Sequence, residues 1–214
     1  LKITLPLKGK NVLVTAGPTQ EPIDSVRYIS NRSSGKMGFS IAQSAQNLGA
    51  NVTLVTGPTQ LKDIPGMNII HIKTSDEMRE SVNDNLDVDY IVMNAAVADY
   101  KAENIISGKI KKNNQDFKMQ LTPTIDILDD IQSKTNACIV GFALELENKE
   151  ANALSKLKKK NIDFIVLNTA NQVNQGFDVD TNQVTIFSAS GEKHSSEIDT
   201  KYRIANFIWE KIID

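Results

Sequence analysis

Short apolar runs alternate with longer amphipathic segments along most of the chain. Apolar runs bounded by turn residues are typical of buried parallel strands, whereas apolar side chains three and four residues apart indicate helices. By these criteria the sequence predicts strands at 11–16, 51–56, 68–72, 88–93, 138–142, 163–168 and 183–188, and helices at 38–48, from 75, and at 123–132, 146–160 and 201–213.

One segment, residues 101–122, breaks this alternation. Its polar and apolar residues follow each other with a period of two, which predicts two antiparallel strands. The rest of the pattern predicts an α/β fold with a Rossmann-like, doubly wound, mostly parallel sheet and an antiparallel insertion at about 101–122. In such sheets ligands bind outside the carboxyl ends of the strands.

Composition agrees with one domain over residues 1–214 and argues against several classes of partner. The formal net charge of -2 and the pI of about 5.8 give no general attraction for nucleic acid or anionic membranes, and no apolar run is long enough to span a bilayer. A single cysteine, Cys138, excludes an internal disulfide, and without a signal peptide it indicates a reducing, cytoplasmic location. Because the sequence does not start with methionine, residues 1–9 are interpreted as the remnant of a linker in a longer polypeptide.

The connection between the first strand and the first helix is unusually long. Such turns normally take a handful of residues, but about twenty residues, 17–37, lie between the two elements here. The connection carries Arg27 and Asn31, followed by Ser33, Ser34 and Gly35 near its end. Unpaired backbone N–H groups at a helix N-terminus attract anions, and glycine lets an anion approach. We interpret the segment as an anion site; the alternative is a long surface loop that caps the helix.

Several familiar motifs are absent from the sequence. Neither the glycine fingerprint of dinucleotide-binding folds nor a phosphate-binding P-loop occurs. The two histidines, His71 and His194, lie away from the strand exits of the expected site, which argues against a histidine triad or a histidine metal centre. Cys138 lies inside an apolar strand and is interpreted as a buried structural thiol.

The strand ending in Gly141, Phe142 and Ala143 is a second candidate for ligand binding. Backbone groups and an aromatic ring at the edge of a sheet can read and stack on a flat heterocyclic base. Glu145, just beyond, could hold a divalent cation. From the sequence alone, Phe142 is as often a core residue as a residue that contacts a ligand.

A basic run and a polar loop complete the candidates. Residues 156–161 (KLKKKN) are typical of a solvated helix end, although Lys156 could also reach a phosphate. The loop at 168–178 contains Gly176 and Phe177, and long polar loops after strands often carry function.

Taken in order, these motifs resemble one enzyme family. The matching segments are GPTQEPIDSVRYISNRSSGKMG (17–38), AAVADY (95–100), KIKK (109–112), GFALE (141–145), KLKKKN (156–161) and QGF (175–177). Together they resemble phosphopantothenate–cysteine ligase, the bacterial phosphopantothenoylcysteine synthetase of coenzyme A biosynthesis. The similarity runs from Lys10 to Trp209. One departure is Leu144-Glu145-Leu146, where the family often has Ala-Glu-Thr.

The resemblance implies an activity and its partners. The expected enzyme joins 4'-phosphopantothenate to L-cysteine through an acyl-cytidylate made from CTP with Mg²⁺, and it releases pyrophosphate and then CMP. It also implies a homodimer and fusion to a flavin-dependent decarboxylase. The choice of CTP over ATP rests on the resemblance and not on residue chemistry.

The resemblance also assigns site residues. Lys156 would supply charge at the α-phosphate, Asn31 would stabilise an oxyanion, Glu145 would bind the cation, and residues 158–161 would form a lid. Substrate contacts would come from Arg27, Asn31 and Ala96. Nucleotide contacts would come from Gly17, Ser33, Ser34, Gly35, Gly141, Phe142, Ala143, Gln175, Gly176, Phe177 and Asp178.

Two other classes of protein are alternatives. A short-chain oxidoreductase on the same fold is disfavoured by the missing glycine fingerprint and by the absence of Tyr-x-x-x-Lys. A non-catalytic nucleotide-binding module would need the long connection but not Lys156.

Overall fold

The computed structural model describes residues 5–112, 116–145, 147–168 and 180–213. None of the helices in these ranges combines the length and apolar character needed to cross a membrane. In chain order the elements are β1 (Asn11–Ala16), β2 (Gln20–Pro22), β3 (Tyr28–Ser30), α1 (Lys36–Asn47), β4 (Asn51–Thr56), β5 (Asn68–His71), α2 (Ser75–Asn83), β6 (Tyr90–Met93), β7 (Tyr100–Ala102), β8 (Leu121–Pro123), α3 (Ile127–Ile131), β9 (Cys138–Leu144), α4 (Lys149–Lys159), β10 (Phe164–Asn168), β11 (Thr181–Asn182), β12 (Val184–Ser188), β13 (Lys193–Ser195), β14 (Asp199–Thr200) and α5 (Lys201–Ile213).

The central sheet confirms the predicted fold class. Its eight strands lie in the order β13-β12-β10-β9-β6-β1-β4-β5. Strands β5 to β10 in this order are all parallel, whereas β12 and β13 add an antiparallel edge. The chain builds outward from β1 to β5, then crosses to β6 on the other side of β1 and continues to β10. The direction in which strands are added to this doubly wound sheet therefore reverses between β1 and β6, and ligands bind at such a point in folds of this type.

Helices cover both faces of the sheet. Successive side chains of a strand point to opposite faces, so Val12 and Val14 of β1 contact one apolar cluster while Leu13 contacts the other. Helices α1 and α5 supply the first cluster, in which Trp209 is fully buried and donates its indole N–H to the Ile41 carbonyl at 3.0 Å. Helices α2, α3 and α4 supply the second.

The first described residues are tied to the fold. Leu7 is fully buried in the first apolar cluster, and its N–H donates to the Leu48 carbonyl at 3.0 Å. Asn51 N–H in turn donates to the Lys10 carbonyl at 2.8 Å. Burial of Leu7 thus ties this part of the segment to the end of α1, and the interpretation of residues 1–9 as a linker remnant stays a prediction.

The insertion pairs only at its two ends. The predicted pair of antiparallel strands is present as β7 and β8, which are three residues long and begin and end near the predicted limits of 101–122. Between them, Ile106 N–H donates to the Ile23 carbonyl at 3.0 Å. The insertion thus folds over the long connection, which itself contains the unpredicted antiparallel pair β2 and β3.

Helix α2 begins at Ser75, as predicted, whereas α3 begins later than predicted. Thr74 is the N-cap of α2 and forms a complete capping box with Glu77. Helix α3 begins at Ile127 because Asp126 caps it and Pro123 belongs to β8. Local hydrogen-bonding side chains, and not the apolar spacing, set both starts.

The repeated tetrapeptide Gly-Pro-Thr-Gln forms two turns that pack against each other. The turns follow β1 and β4, which are adjacent parallel strands. A Cβ atom on Gly57 would lie 1.7 Å from the Pro18 carbonyl oxygen, and both Gly17 and Gly35 approach the Thr59 methyl group. Only a glycine at position 57 lets the two turns meet beneath the start of α1.

We expect Gly57→Ala to lower the free energy of unfolding by about 3 kcal/mol or more, because its Cβ would meet rigid backbone. Gly191→Ala is the control: its φ is 97° but it has open space, so the expected loss is about 1 kcal/mol from left-handed strain. Urea unfolding measures both. Equal losses for the two variants would contradict close packing of the turns.

Candidate functional site

A cleft lies at the carboxyl edge of the sheet, next to the point where the strand order reverses. Its empty volume is about 550 Å³. Six elements reach it: the start of α1, the exit of β6, the ends of β9 and β10, strand β11, and the start of α5. The lining residues are Ser33, Ser34, Gly35, Lys36, Met37, Asn94, Ala96, Phe142, Leu144, Asn168, Asn182 and Lys201.

Two threonine hydroxyls fix the floor of this cleft. Thr15 at the end of β1 accepts the N–H groups of Asn94 and Ala95, each at 3.1 Å. Thr19, four residues on, accepts the Ala98 N–H at 2.9 Å. Both threonines are fully buried, so their hydroxyls replace the water that would otherwise satisfy these amides. The exit of β6 is thereby held against the exit of β1.

Asn31 also joins the long connection to the exit of β6. Its side-chain amide donates to the Ala96 carbonyl at 3.2 Å and to the Val97 carbonyl at 2.9 Å. The hydroxyl of Ser30 donates to the Thr19 carbonyl at 2.7 Å. The structure therefore brings together Asn31 and Ala96, two residues that the resemblance assigned to substrate binding, and joins them by a direct hydrogen bond.

The start of α1 faces the cleft with the geometry expected of an anion site. Gly35 is its N-cap, has a left-handed φ of 74° and provides no side-chain cap. A Cβ atom at Gly35 would lie 2.7 Å from the Thr59 methyl group and 3.4 Å from the Gly17 Cα, so Gly17 lies directly beside it. Ser33 and Ser34 line the same wall. Hydroxyls and N–H groups at the positive end of a helix together favour a bound anion.

Arg27 lies at the insertion and not among the residues that line the cleft. Its guanidinium pairs with Asp24 and also donates to the Ile110 carbonyl at 3.4 Å. The Asp24 side chain is fully buried, and hydrogen bonds from the backbone N–H of Ile110, then of Val26 and Arg27, hold its pKa well below the usual range. Asp24 therefore anchors the insertion to the long connection, with Arg27 as its counter-charge.

Lys156 reaches the end of β9, as the sequence suggested. Its Nζ donates to the Phe142 carbonyl at 2.9 Å. Burial lowers the pKa of the Lys156 amine from its ordinary value, and the nearby carboxylates of Asp126 and Glu145 only partly oppose this effect. An incompletely neutralised ammonium next to a ligand-facing strand end is well placed to interact with an anion.

Lys160, one helical turn later, is an anchor and not part of a lid. It is buried, and its Nζ contacts Asp126 at 2.7 Å and Asp129 at 2.6 Å. Burial alone would lower the pKa of Lys160, but these two carboxylates outweigh it and the pKa is raised. Lys158 and Lys159 form the exposed last turn of α4, and Asn161, two residues beyond the end of the helix, has a left-handed φ of 46°. The lid expected at residues 158–161 is a helix end pinned to α3.

The strand that contains Gly141 extends further than predicted. It ends at Leu144, so Gly141 and Ala143 lie buried within the sheet, and a Cβ on Gly141 would meet the Ile162 methyl group at 2.7 Å. Because side chains alternate between faces, Phe142 and Leu144 are the ones that reach the cleft. Phe142 also packs on the first apolar cluster, as expected of a core residue, while its contact with a ligand stays a prediction.

Each remaining predicted site residue either contacts neighbouring residues of the fold or lies outside the residues that the structure describes. Glu145 accepts a hydrogen bond from the Asn152 amide at 3.2 Å. Burial raises the pKa of the Cys138 thiol to about 12, as expected of a structural thiol. Gln175, Gly176, Phe177 and Asp178 lie outside the described residues. Within the described ranges no three histidine, cysteine or carboxylate side chains form a group that could hold a metal ion.

The sequence analysis assigned no site role to five polar residues that line the cleft: Lys36, Asn94, Asn168, Asn182 and Lys201. Asn168 opens the loop singled out at 168–178, Asn94 follows a buried strand, and Lys36 lies in the matching segment 17–38, so their positions could have indicated them. Asn182 and Lys201 carry no such signal, because they reach the cleft through the packing of β11 and α5 around it.

Comparisons with known proteins agree with this architecture. The family model described as "DNA/pantothenate metabolism flavoprotein C-terminal domain" matches residues 7–214. The chain is 40% identical over 210 residues to the Coenzyme A biosynthesis bifunctional protein CoaBC of Bacillus subtilis (strain 168), covering 97% of this chain and 52% of that protein. It is 42% identical over 212 residues to a Cysteine/Cysteine sulfinic acid decarboxylase of an unknown prokaryotic organism, covering 97% and 59%.

A solved structure extends the comparison to the fold. The crystal structure of the C-terminal domain of Coenzyme A biosynthesis bifunctional protein CoaBC matches with a TM-score of 0.83 and 36% identity, covering 97% of this chain and 96% of that one. The chain spans about half the length of the curated relatives that it matches. The similarity is therefore to one domain of longer proteins.

We expect Lys156 to lose its proton at lower pH than Lys160, because burial dominates at the first amine and two carboxylates at the second. An NMR titration of the lysine ¹³Cε signals measures both, with Lys156→Gln and Lys160→Met to assign the signals. A bound polyanion should move the pKa of Lys156 back upward. The reverse order of deprotonation would contradict this electrostatic picture.

Proposed function

The chain belongs to the family of the DNA/pantothenate metabolism flavoprotein C-terminal domain, and on this premise we propose that it is a phosphopantothenate–cysteine ligase. It joins 4'-phosphopantothenate to L-cysteine in coenzyme A biosynthesis, with CTP as the activating nucleotide. The relative from Bacillus subtilis is named a coenzyme A biosynthesis bifunctional protein, which supports the pathway. We place the reaction in the cytoplasm.

The observation that carries the proposal is the junction of Asn31 with the exit of β6 at one end of the cleft. The motifs at 17–38 and 95–100 are far apart in sequence, yet the Asn31 amide contacts the Ala96 and Val97 carbonyls directly. The third motif brings Phe142 to the same cleft, with Lys156 bound to its carbonyl. A ligase needs its acid, nucleotide and amine in one place, and this arrangement provides it.

The first step activates a carboxylate. A carboxylate oxygen of phosphopantothenate attacks the α-phosphorus of CTP, a P–O bond forms, and the bond to pyrophosphate breaks. Negative charge gathers on the α-phosphate, where a cation lowers the barrier. Lys156 is the residue that we assign to this charge, because its ammonium is partly buried next to Phe142. Ser33, Ser34 and Gly35 at the start of α1 would hold phosphate, with Gly17 beneath them.

The second step forms the amide. The cysteine amine attacks the acyl carbon, the C–N bond forms, the bond to CMP breaks, and the amine gives up a proton. An oxyanion develops on the acyl oxygen, and a neutral amide donor stabilises it. Asn31 is the donor that we assign. Its longer hydrogen bond, at 3.2 Å to Ala96, is the one that would be exchanged for the oxyanion.

The remaining assignments are consistent with these surroundings. Arg27 is half-exposed, and N–H groups not engaged by Asp24 could contact an acidic substrate. Gly141 and Ala143 are buried within β9, so they would contribute to nucleotide binding by setting the position of this strand. Gln175, Gly176, Phe177 and Asp178 stay as proposed nucleotide contacts.

Magnesium would be held mainly by the nucleotide. Mg²⁺ is usually bound by one or two carboxylates together with substrate phosphates. The described residues fit this mode, since they contain no cluster of three metal ligands and Glu145 is a single carboxylate near the cleft. Bound there, Mg²⁺ would neutralise phosphate charge during attack.

Partners of the whole protein follow from its relatives. One is named a bifunctional protein and another a decarboxylase, and each extends well beyond the matched part. We propose that this domain is fused in nature to a flavin-dependent decarboxylase domain, which would act on the ligase product. Nucleic acid and membranes are not among the proposed partners.

Release of pyrophosphate tests the function. We expect it only when CTP, Mg²⁺ and phosphopantothenate are all present, and product only after cysteine is added. Release without phosphopantothenate would indicate a nucleotide hydrolase, and binding without any release would indicate a non-catalytic module. Comparable turnover with ATP would contradict the choice of CTP.

We expect Lys156→Gln to reduce the rate of the first step about 10²–10³-fold, because one charge that stabilises the transition state is lost. The measurement is the pyrophosphate burst with CTP and phosphopantothenate, with cysteine omitted. Lys159→Gln, on the exposed last turn of the same helix, is the matched control and should behave like the native chain. A near-normal burst in Lys156→Gln would remove this residue from the mechanism.

We expect Asn31→Asp to form the acyl-cytidylate but to stall its reaction with cysteine. An ionised aspartate accepts hydrogen bonds and repels both the oxyanion and the Ala96 and Val97 carbonyls. Quenched-flow mass spectrometry should show the intermediate accumulating. Asn31→Ala removes the donor without adding charge, so its intermediate should react with cysteine faster than that of Asn31→Asp. Conversion of the acyl-cytidylate at the native rate in Asn31→Asp would show that Asn31 has a structural role and no catalytic one.

We expect the chain to form a homodimer through residues 101–122. This segment and the adjacent β2–β3 connection expose apolar side chains, which favour an interface. The exposed side chains are Val26, Tyr28, Tyr100, Ile105, Phe117 and Leu121. Light scattering at micromolar concentration should give a dimer mass for the native chain and a monomer mass for Ile105→Glu. A monomeric native chain would disprove this interface.

A further inference from the structure

Asn168 lies in the wall of the cleft, yet the function described so far gives it no part. It is the last residue of β10 and is partly exposed there. Its side-chain oxygen Oδ1 is buried and, within the described part of the chain, accepts no hydrogen bond. Buried side-chain oxygens of folded proteins nearly always have a donor, so an unpaired one beside a cleft points to a missing partner.

The neighbours of Asn168 in the sheet cannot supply this donor. Paired residues of adjacent strands point to the same face, and the register pairs Asn168 with Leu144 of β9 and Val184 of β12. Val166 precedes it on the same face of β10 and is fully buried. All three neighbours are apolar, so a leucine would pack at this position without an unpaired acceptor. An asparagine here indicates a ligand that brings the donor.

The unpaired atom is an acceptor, which selects among the reacting groups of the proposed function. Phosphates and carboxylates are themselves acceptors at neutral pH, whereas the amine of L-cysteine is a donor. None of the described residues that line the cleft is acidic, so this lining does not favour an ammonium over the neutral amine that must attack. The exocyclic amine of cytosine is the other available donor, and experiment separates the two.

The position of Asn168 suits the second step of the reaction. Strands β9 and β10 are adjacent and parallel, about 4.8 Å apart. On β9, Lys156 binds the carbonyl of Phe142, and this lysine is assigned to the α-phosphate that carries the acyl group. An asparagine amide turns readily about its Cβ–Cγ bond, so Oδ1 can face the cleft when a donor enters it. The acceptor therefore lies one strand away from the group that the amine attacks.

We propose that Asn168 binds the amine of L-cysteine and directs its lone pair at the acyl carbon. The proposal rests on the proposed function in taking an acyl-cytidylate as the other reactant. One amine N–H donates to Oδ1 while the nitrogen attacks, the C–N bond forms, the C–O bond to CMP breaks, and the proton that the nitrogen loses passes to water. The amide oxygen accepts a hydrogen bond and takes no proton. Fixing the direction of attack in this way lowers the barrier.

Kinetics of Asn168→Leu with cysteine as the varied substrate test the proposal. Leucine is close to asparagine in size and suits the apolar surroundings. We expect kcat/KM for cysteine to fall roughly tenfold, the range for one lost hydrogen bond, while the pyrophosphate burst measured without cysteine stays native. An unchanged kcat/KM for cysteine would overturn the proposal. An equal loss of CTP affinity in the burst would also overturn it, because Asn168 would then contact the nucleotide.

Asn168→Asp separates contact with the amine from a structural role. Aspartate keeps an acceptor in the same place and loses only the NH₂ group. We expect it to retain more of the kcat/KM for cysteine than Asn168→Leu does. Its carboxylate also stabilises the ammonium form, so the pH at which kcat/KM rises should move upward. Kinetics like those of the leucine variant with an unshifted pH profile would disprove the contact.

Two further variants guard against a trivial loss. Asn85 is also partly exposed, but it lies at the opposite edge of the sheet, where its amide donates to the Ser81 carbonyl at 2.8 Å. Asn85→Leu should therefore leave kcat/KM for cysteine unchanged. If Asn168→Leu does not fold by circular dichroism, Asn168→Ala is measured in its place, with the same expected loss.

Side-chain NMR separates this inference from the proposed function. The carboxamide ¹H–¹⁵N signals of Asn168, assigned by their loss in Asn168→Asp, should move when L-cysteine is added to the native chain in the presence of CMP. They should not move with 3-mercaptopropionate, which lacks the amine. This response supports the amine site even when no ligase product is detected. If the native chain makes product while neither these signals nor the kinetics of Asn168→Leu respond to cysteine as expected, the inference alone fails.

Discussion

The hydrogen bonds between the exits of β1 and β6 are the constraint on which the site depends. Two parallel strands at the reversal of a doubly wound sheet send their chains in different directions, which opens a crevice. Buried hydroxyls of Thr15 and Thr19 and the amide of Asn31 hold the backbone of residues 94–98 along one wall of that crevice. They add to the backbone hydrogen bonds that join Gly17 and Thr19 to Ala96, so the long connection is fixed relative to the neighbouring strand.

Close backbone packing beneath the crevice makes this arrangement rigid. The turns after β1 and β4 touch at Gly57, and the start of α1 rests on both through Gly35. A helix start held this firmly presents its N–H groups to a ligand without reorganisation, which is the property that electrostatic catalysis requires. The insertion adds to the support from the outside, because the buried Asp24 carboxylate accepts N–H groups from both the connection and residue 110.

Two lysines of α4 show how burial and charge pairing give neighbouring cations different surroundings. Lys160 is buried with two carboxylates, so its charge is compensated and fastens α4 to α3. Lys156 donates to the Phe142 carbonyl, and burial lowers its pKa more than the nearby carboxylates raise it. The balance between burial and charge pairing, more than the number of basic residues, distinguishes the two lysines.

Periodicity and strand exits in the sequence by themselves determined the fold class, the parallel core and the importance of the connection that carries Asn31 and Gly35. These features are local: alternation, spacing and glycine act over a few residues. Only the tertiary structure decided that Gly141 lies inside the sheet, that Lys160 is an anchor, and that Lys36 and Lys201 line the same cleft from different helices. The surroundings of all these residues come from segments distant in sequence, and burial and charge pairing arise only when those segments pack together.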